Sequence, residues 1–270
     1  MKLYFAGAEH YHEELTAEGV EHILISIAHG KRAIPKTAQR FPNGARLIID
    51  SGAFTFFMRK EVMLPEKWLE IVLPLVPFGE EIIALDVIGN AEKTWENYAI
   101  IKAELPHAVP TFHVGSDLAY LKRYLNYTDR IALGGMVRYA TRPDELARLL
   151  NPIFALFSAE TLPRLHAFGL FNKVILERFP FSSADASSWI SGSRYNRIED
   201  PLNNKSYVRR RDLTPSRLAS VPLCDALLLA EKDYRGRIRR NITQYLALEH
   251  YLTELWEQRL HTAKAASRLS

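Results

Sequence analysis

The chain has one cysteine in 270 residues, Cys224. A single thiol can form neither an internal disulfide nor a multi-cysteine structural zinc site. Extended apolar runs are also missing. The start, Met1 to His10, has too short an apolar core for a signal peptide, and no stretch approaches the ~20 apolar residues of a membrane span. We found no internal repeat, low-complexity tract or linker that would mark a second domain. No glycine-rich phosphate fingerprint follows the first apolar run, so a dinucleotide fold has little support. These absences lead us to expect one soluble, cytoplasmic domain over 1–270. Its 47% hydrophobic content is enough for a large core.

What is present is a set of short apolar runs, each closing on a polar residue. Leu47-Ile48-Ile49 runs into Asp50-Ser51-Gly52-Ala53-Phe54, and Ile82 to Leu85 into Asp86. Val109 to Phe112 leads to His113, Arg130 to Leu133 to the pair Gly134-Gly135, and Phe181 to Ala184 to Asp185. A continuous apolar run suits a strand buried on both faces of a parallel sheet, and in such folds the ligand site lies at the carboxyl ends of the strands. With the runs at 3–8, 23–27 and 164–169, eight strands alternate with helical segments. This predicts a (β/α)8 TIM barrel over 1–190; the weaker alternative is an open doubly wound sheet.

Within that frame, 55–60 reads as a loop or short turn over the site, and Ser116 as the cap of a helix over 117–124. Residues 191–217 read as a long basic loop or small elaboration, and 238–260 as a closing helix. Trp68, Trp95, Tyr98 and Trp256 read as core.

The net charge is +4, and its basic groups cluster late in the chain, at Arg209-Arg210-Arg211 and between Arg235 and Arg240. Either cluster suits nucleic-acid phosphates or a solvated surface. Arg194 and Arg197 are further phosphate candidates, and Trp189 and Tyr195 are candidate stacking faces. His10 with His12, and His22 with His29, lack the matched carboxylate geometry of a metal site. A lone strand-end aspartate is commonly a turn or cap residue; Asp117, Asp144 and Asp225 are read that way. Three such carboxylates together point to a site, because catalysis needs convergent groups.

In order, the segments Asp50 to Phe54, Leu85-Asp86, Ala132 to Met136, His166-Ala167-Phe168-Gly169 and Ser183-Ala184-Asp185 resemble the tRNA-guanine transglycosylase superfamily. The resemblance runs from Leu47 to Trp189, roughly half the chain. That family exchanges guanine in nucleic acid for a 7-deazaguanine base. The resemblance implies that Asp185 is the nucleophile attacking the sugar C1′ and that Asp50 is the general acid/base. It implies that Asp86 accepts hydrogen bonds from the base, that Gly134 and Gly135 let the backbone approach it, and that Ser51 and Phe54 complete the base site.

Two departures stand out. His113 falls where the tRNA enzymes usually have a glutamine that contacts the base, so the resemblance implies an imidazole N–H that donates to the guanine O6, with a buried structural histidine as the alternative; and the cysteine-rich zinc subdomain is missing. The pattern is therefore most similar to the compact DNA-guanine transglycosylases of phages and bacterial genomic islands. DNA is the expected partner ahead of tRNA, with accessory proteins compatible and no cofactor called for. Hydrolysis in place of base exchange, or a noncatalytic base-binding barrel, are the competing readings.

Overall fold

The computed structural model describes residues 1–30, 32–41, 44–139, 141–195, 197–208 and 233–267. The triplet Arg209-Arg210-Arg211, Cys224, Asp225 and the apolar run 226–230 lie outside the described residues.

Eight strands form one parallel sheet: β1 (Lys2–Ala6), β2 (His22–Ser26), β3 (Arg46–Asp50), β4 (Glu81–Ile82), β5 (Thr111–His113), β6 (Arg130–Gly134), β7 (Arg164–Ala167) and β8 (Ser183–Ala186). Their neighbour order is β4-β3-β2-β1-β8-β7-β6-β5. A parallel bridge joins Ile83 to Val109, just beyond β4 and just before β5, the two ends of that order. The Ala84 N–H donates to the Val109 carbonyl at 2.9 Å, and the Val109 N–H to the Ile82 carbonyl at 2.8 Å. The sheet is curled and compatible with a TIM-like α/β fold.

Strand alternation divides the apolar residues into two sets. Leu3, Phe5, Ile23, Ile25, Leu47 and Ile49 belong to the large core, which includes the buried apolar residues of the helices. Tyr4, Leu24, Ile48, Ile83, Val109 and Ala132 form a second, smaller cluster contributed by six successive strand segments. This second cluster is the concave face of the curl. By the same parity Ser26, Asp50, His113, Gly134, His166, Ser183 and Asp185 belong to that face.

Ten α-helices are described: α1 (His12–Ala17), α2 (Ala33–Gln39), α3 (Ala53–Arg59), α4 (Pro65–Val72), α5 (Ala91–Glu104), α6 (Leu118–Leu125), α7 (Pro143–Phe154), α8 (Lys173–Arg178), α9 (Ser188–Arg194) and α10 (Tyr234–Ser267). Proline at the first turn starts α4 and α7, where the missing N–H has no helical partner to lose. Between α9 and α10 lies an antiparallel hairpin, β9 (Arg197–Asp200) with β10 (Lys205–Val208).

Several expectations are corrected. Residues 53–59 are helix α3 rather than a loop; Gly52 takes the left-handed conformation ahead of it, and Ala53 and Phe56 are buried. Asp117, not Ser116, caps α6, its carboxylate accepting from the Ala119 N–H at 2.8 Å. The region read as a long loop carries the last turn of α9 and the β9–β10 hairpin. Helix α10 is longer than 238–260 and buries Ile238, Ile242, Tyr245, Leu248 and Leu252 at helical spacing. Among the described residues no helix is long and apolar enough to cross a membrane.

Candidate active site

The curled sheet gathers the strand ends that the sequence singles out. Asp50 closes β3, and Ser26, its register partner at the end of β2, stands beside it. The Gly52 N–H donates to Asp50 Oδ2 at 3.0 Å. Burial and then the neighbouring Asp86 charge push the Asp50 carboxyl up to about 6, with a smaller push from Asp185. The Gly52 N–H and the Ser26 hydroxyl pull the other way. The three carboxylates therefore share one electrostatic environment.

Asp86 lies beyond β4, on the segment that follows the bridge. Ser51 Oγ donates to its Oδ1 at 2.9 Å, and His113 Nε2 donates to its Oδ2 at 2.8 Å. Ser51 is itself fixed: its carbonyl accepts from the indole N–H of the fully buried Trp68 at 3.1 Å. Each Asp86 oxygen retains a lone pair for a further donor.

Asp185 lies on β8 and is buried. Its Oδ1 accepts from the Gly169 N–H at 3.0 Å and pairs with His166 Nε2 at 3.2 Å. No described residue donates to Oδ2. The Leu170 N–H donates to the Asp185 carbonyl at 2.7 Å, tying the loop after β7 to β8.

The glycine pair divides in role. A Cβ at Gly134 would lie 2.8 Å from His113 Cδ2 and 3.0 Å from Thr111 Cγ2, so glycine is needed there to seat the His113 ring. Gly135 is exposed with φ +79°, and its Cβ direction meets nothing closer than 3.8 Å. Only Gly135 leaves open space for a ligand. Phe54 is 62% exposed on α3. Phe56, Phe57, Leu64, Asp86 and Lys93 are among the residues lining a cavity of about 390 Å³, which Phe54 does not line.

The basic candidates separate. Arg194, at the end of α9, is exposed and shares a cavity of about 450 Å³ with Ser26, His29 and Ser187. Arg197 is exposed on β9 near the Tyr195 ring. Arg235 is committed elsewhere, to Glu14 at 2.6 Å and Glu13 at 3.2 Å, and Arg237 is buried. Neither serves as a free phosphate contact. Trp189 is fully buried, with its indole N–H on the Ala6 carbonyl at 3.1 Å, and so offers no stacking face; Tyr195 is exposed.

Four residues that the sequence reading gave no role also belong here: Ser26, His166, Ser183 and Arg130. The available signal was parity, because the polar residues Ser183 and Asp185 alternate with Ala184 and so share the face of Asp50. No protein-family model matches the chain, and no curated protein is detectably similar to it.

Proposed function

We propose that this protein is a transglycosylase that exchanges guanine in nucleic acid for a 7-deazaguanine base, with DNA favoured over tRNA, on a closed (β/α)8 barrel. The observation that carries the reading is the meeting of Asp50, Asp86 and Asp185 at the strand ends, each with a different set of donors. The Ile83–Val109 bridge supports the closed barrel.

The roles follow from those environments. Asp185 attacks the sugar C1′ through Oδ2: the Oδ2–C1′ bond forms as the bond from C1′ to the base nitrogen breaks, and the electron pair leaves on the base. Asp50, with its carboxyl raised to about 6, keeps a proton in a minority of molecules near neutral pH, and that form passes the proton to the departing guanine. Asp50 then accepts a proton from the incoming base as that base displaces Asp185. Two displacements at one carbon retain its configuration. Asp86, steadied by Ser51 and His113, takes the ring N–H and amino group of the base on its remaining lone pairs. Gly135 gives close backbone approach, and Phe54 covers the ring. In duplex DNA the target nucleotide must first leave the stack. DNA is favoured because the chain lacks the cysteines of the zinc subdomain that supports tRNA binding.

The test offers duplex DNA, single-stranded DNA and tRNA with labelled guanine and with a 7-deazaguanine. Incorporation into DNA that is lost in Asp185→Ala and strongly slowed in Asp50→Asn supports the chemistry and the substrate. Incorporation into tRNA alone keeps the chemistry and overturns DNA. Released guanine without incorporation makes the protein a hydrolase.

A further inference from the structure

A continuous polar chain crosses the concave face beside Asp185. Arg130, at the start of β6, donates from one terminal nitrogen to Glu81 Oε2 at 2.6 Å and to Ser183 Oγ at 2.9 Å; its other terminal nitrogen donates to Ser182 Oγ. Ser183 Oγ lies 2.8 Å from His166 Nδ1, and His166 Nε2 lies 3.2 Å from Asp185 Oδ1. Arg130, Ser183, His166 and Asp185 are all buried, His166 completely. The chain draws on β4, β6, β7 and β8.

The direction of these hydrogen bonds is set at one end. Arg130 can only donate, so Ser183 Oγ accepts from it and its own proton needs an acceptor. His166 Nδ1 is the acceptor in reach. An imidazole that accepts at Nδ1 carries its proton on Nε2, and that proton points at Asp185 Oδ1. With the Gly169 N–H, Oδ1 then receives two donors while Oδ2 receives none from the described residues.

We propose that Glu81, Arg130, Ser183 and His166 form a positioning relay that fixes the His166 tautomer, locks Asp185 by Oδ1 and reserves Oδ2 for attack. His166 is a positioning residue: it acts through Asp185. When Oδ2 bonds to C1′, Oδ1 becomes the ester carbonyl oxygen and keeps both donors, so the side chain need not rotate between the two displacements. Stability alone is a poor reason for this chain. A buried ion pair such as Arg130–Glu81 loses much of its attraction to desolvation, and apolar residues of similar volume commonly serve as well. A fixed orientation is something apolar packing cannot supply.

The proposal rests on the transglycosylase reading, and its test separates the two. In the full chain labelled with 15N-histidine, His166 should show protonated Nε2 and unprotonated Nδ1, and Ser183→Ala should abolish that single-tautomer signature. In single-turnover guanine release, His166→Leu should slow the step on the order of 100-fold with nucleic-acid binding unchanged. His166→Gln places an amide donor where Nε2 was and should restore most of the rate. An active enzyme with the proton on Nδ1, or a folded His166→Gln as slow as His166→Leu, overturns the relay and leaves the exchange chemistry standing. A wild-type protein that exchanges no base on any of the three nucleic acids overturns the exchange chemistry, and with it the role given to Asp185, whatever the tautomer.

Discussion

Asp50 shows how one carboxyl group ties function to stability. Folding places it where burial and Asp86 push its pKa from 3.8 to about 6. Between those values the folded chain holds a proton at this position that the unfolded chain has released. The folded state therefore binds more protons, and linkage makes this contribution to stability fall as pH rises from about 4 to about 6. Asp50→Asn removes the charge that burial penalises. The variant should gain on the wild type between pH 4 and pH 7, by about 1–3 kcal/mol, as read from urea midpoints at the two pH values. Equal midpoint differences at both would refute the raised carboxyl. The same substitution should abolish the fall in the proposed base exchange as pH rises through about 6, so the protein should become more stable and less active. That trade is expected where a site stores unfavourable electrostatics for chemistry.

Elements were legible to different depths, for physical reasons. The strands were readable because Leu47-Ile48-Ile49 and its counterparts are apolar on both faces, a pattern imposed by the sheet itself. Helix α3 was not, because Thr55-Phe56-Phe57 has weak helix propensity, and the burial of Ala53 and Phe56 favours it. The fate of Arg235 was unreadable for a similar reason: its partners Glu13 and Glu14 are more than 200 residues away in sequence. Of the site, the three aspartates were visible as strand-end punctuation. The relay behind Asp185 was not, because its hydrogen bonds run between strands distant in sequence.

Asn241 is the element-scale counterpart. Fully buried on α10, it accepts from the Glu199 N–H at 2.8 Å and donates to the Trp189 carbonyl at 3.1 Å and to Ser193 Oγ at 3.0 Å. One side chain thus fastens α9 and the β9 hairpin to the closing helix. Asn241→Leu leaves those groups buried without partners and should cost about 2–4 kcal/mol, seen as a lowered melting temperature. Asn241→Asp keeps the acceptor and loses the donors, so it should also destabilise. A variant as stable as the wild type would show that these elements dock through apolar contacts alone.

At the scale of the whole molecule, the proposed activity faces an electrostatic conflict. Three carboxylates at the strand ends repel the phosphates of any nucleic acid brought to them, and a net charge of +4 is too small to decide the matter. Attraction must come from where the cations stand. Arg194 and Arg197 are exposed just beyond β8, and Arg194 shares its cavity with Ser26, the neighbour of Asp50. Arg164 begins β7, at the opposite end of the strands, and pairs with Asp129 at 3.2 Å. If nucleic acid docks over the carboxylates, removing Arg194 and Arg197 together should flatten the dependence of log K on log salt by about 1–2 for duplex DNA, since each phosphate contact contributes about 0.9. Arg164→Ala should leave that slope unchanged. Fluorescence anisotropy across a salt series reads both. The reverse pattern, with the slope falling only for Arg164→Ala, would put the nucleic acid on the face remote from Asp50, Asp86 and Asp185. The chemistry proposed for those residues could then not reach its substrate.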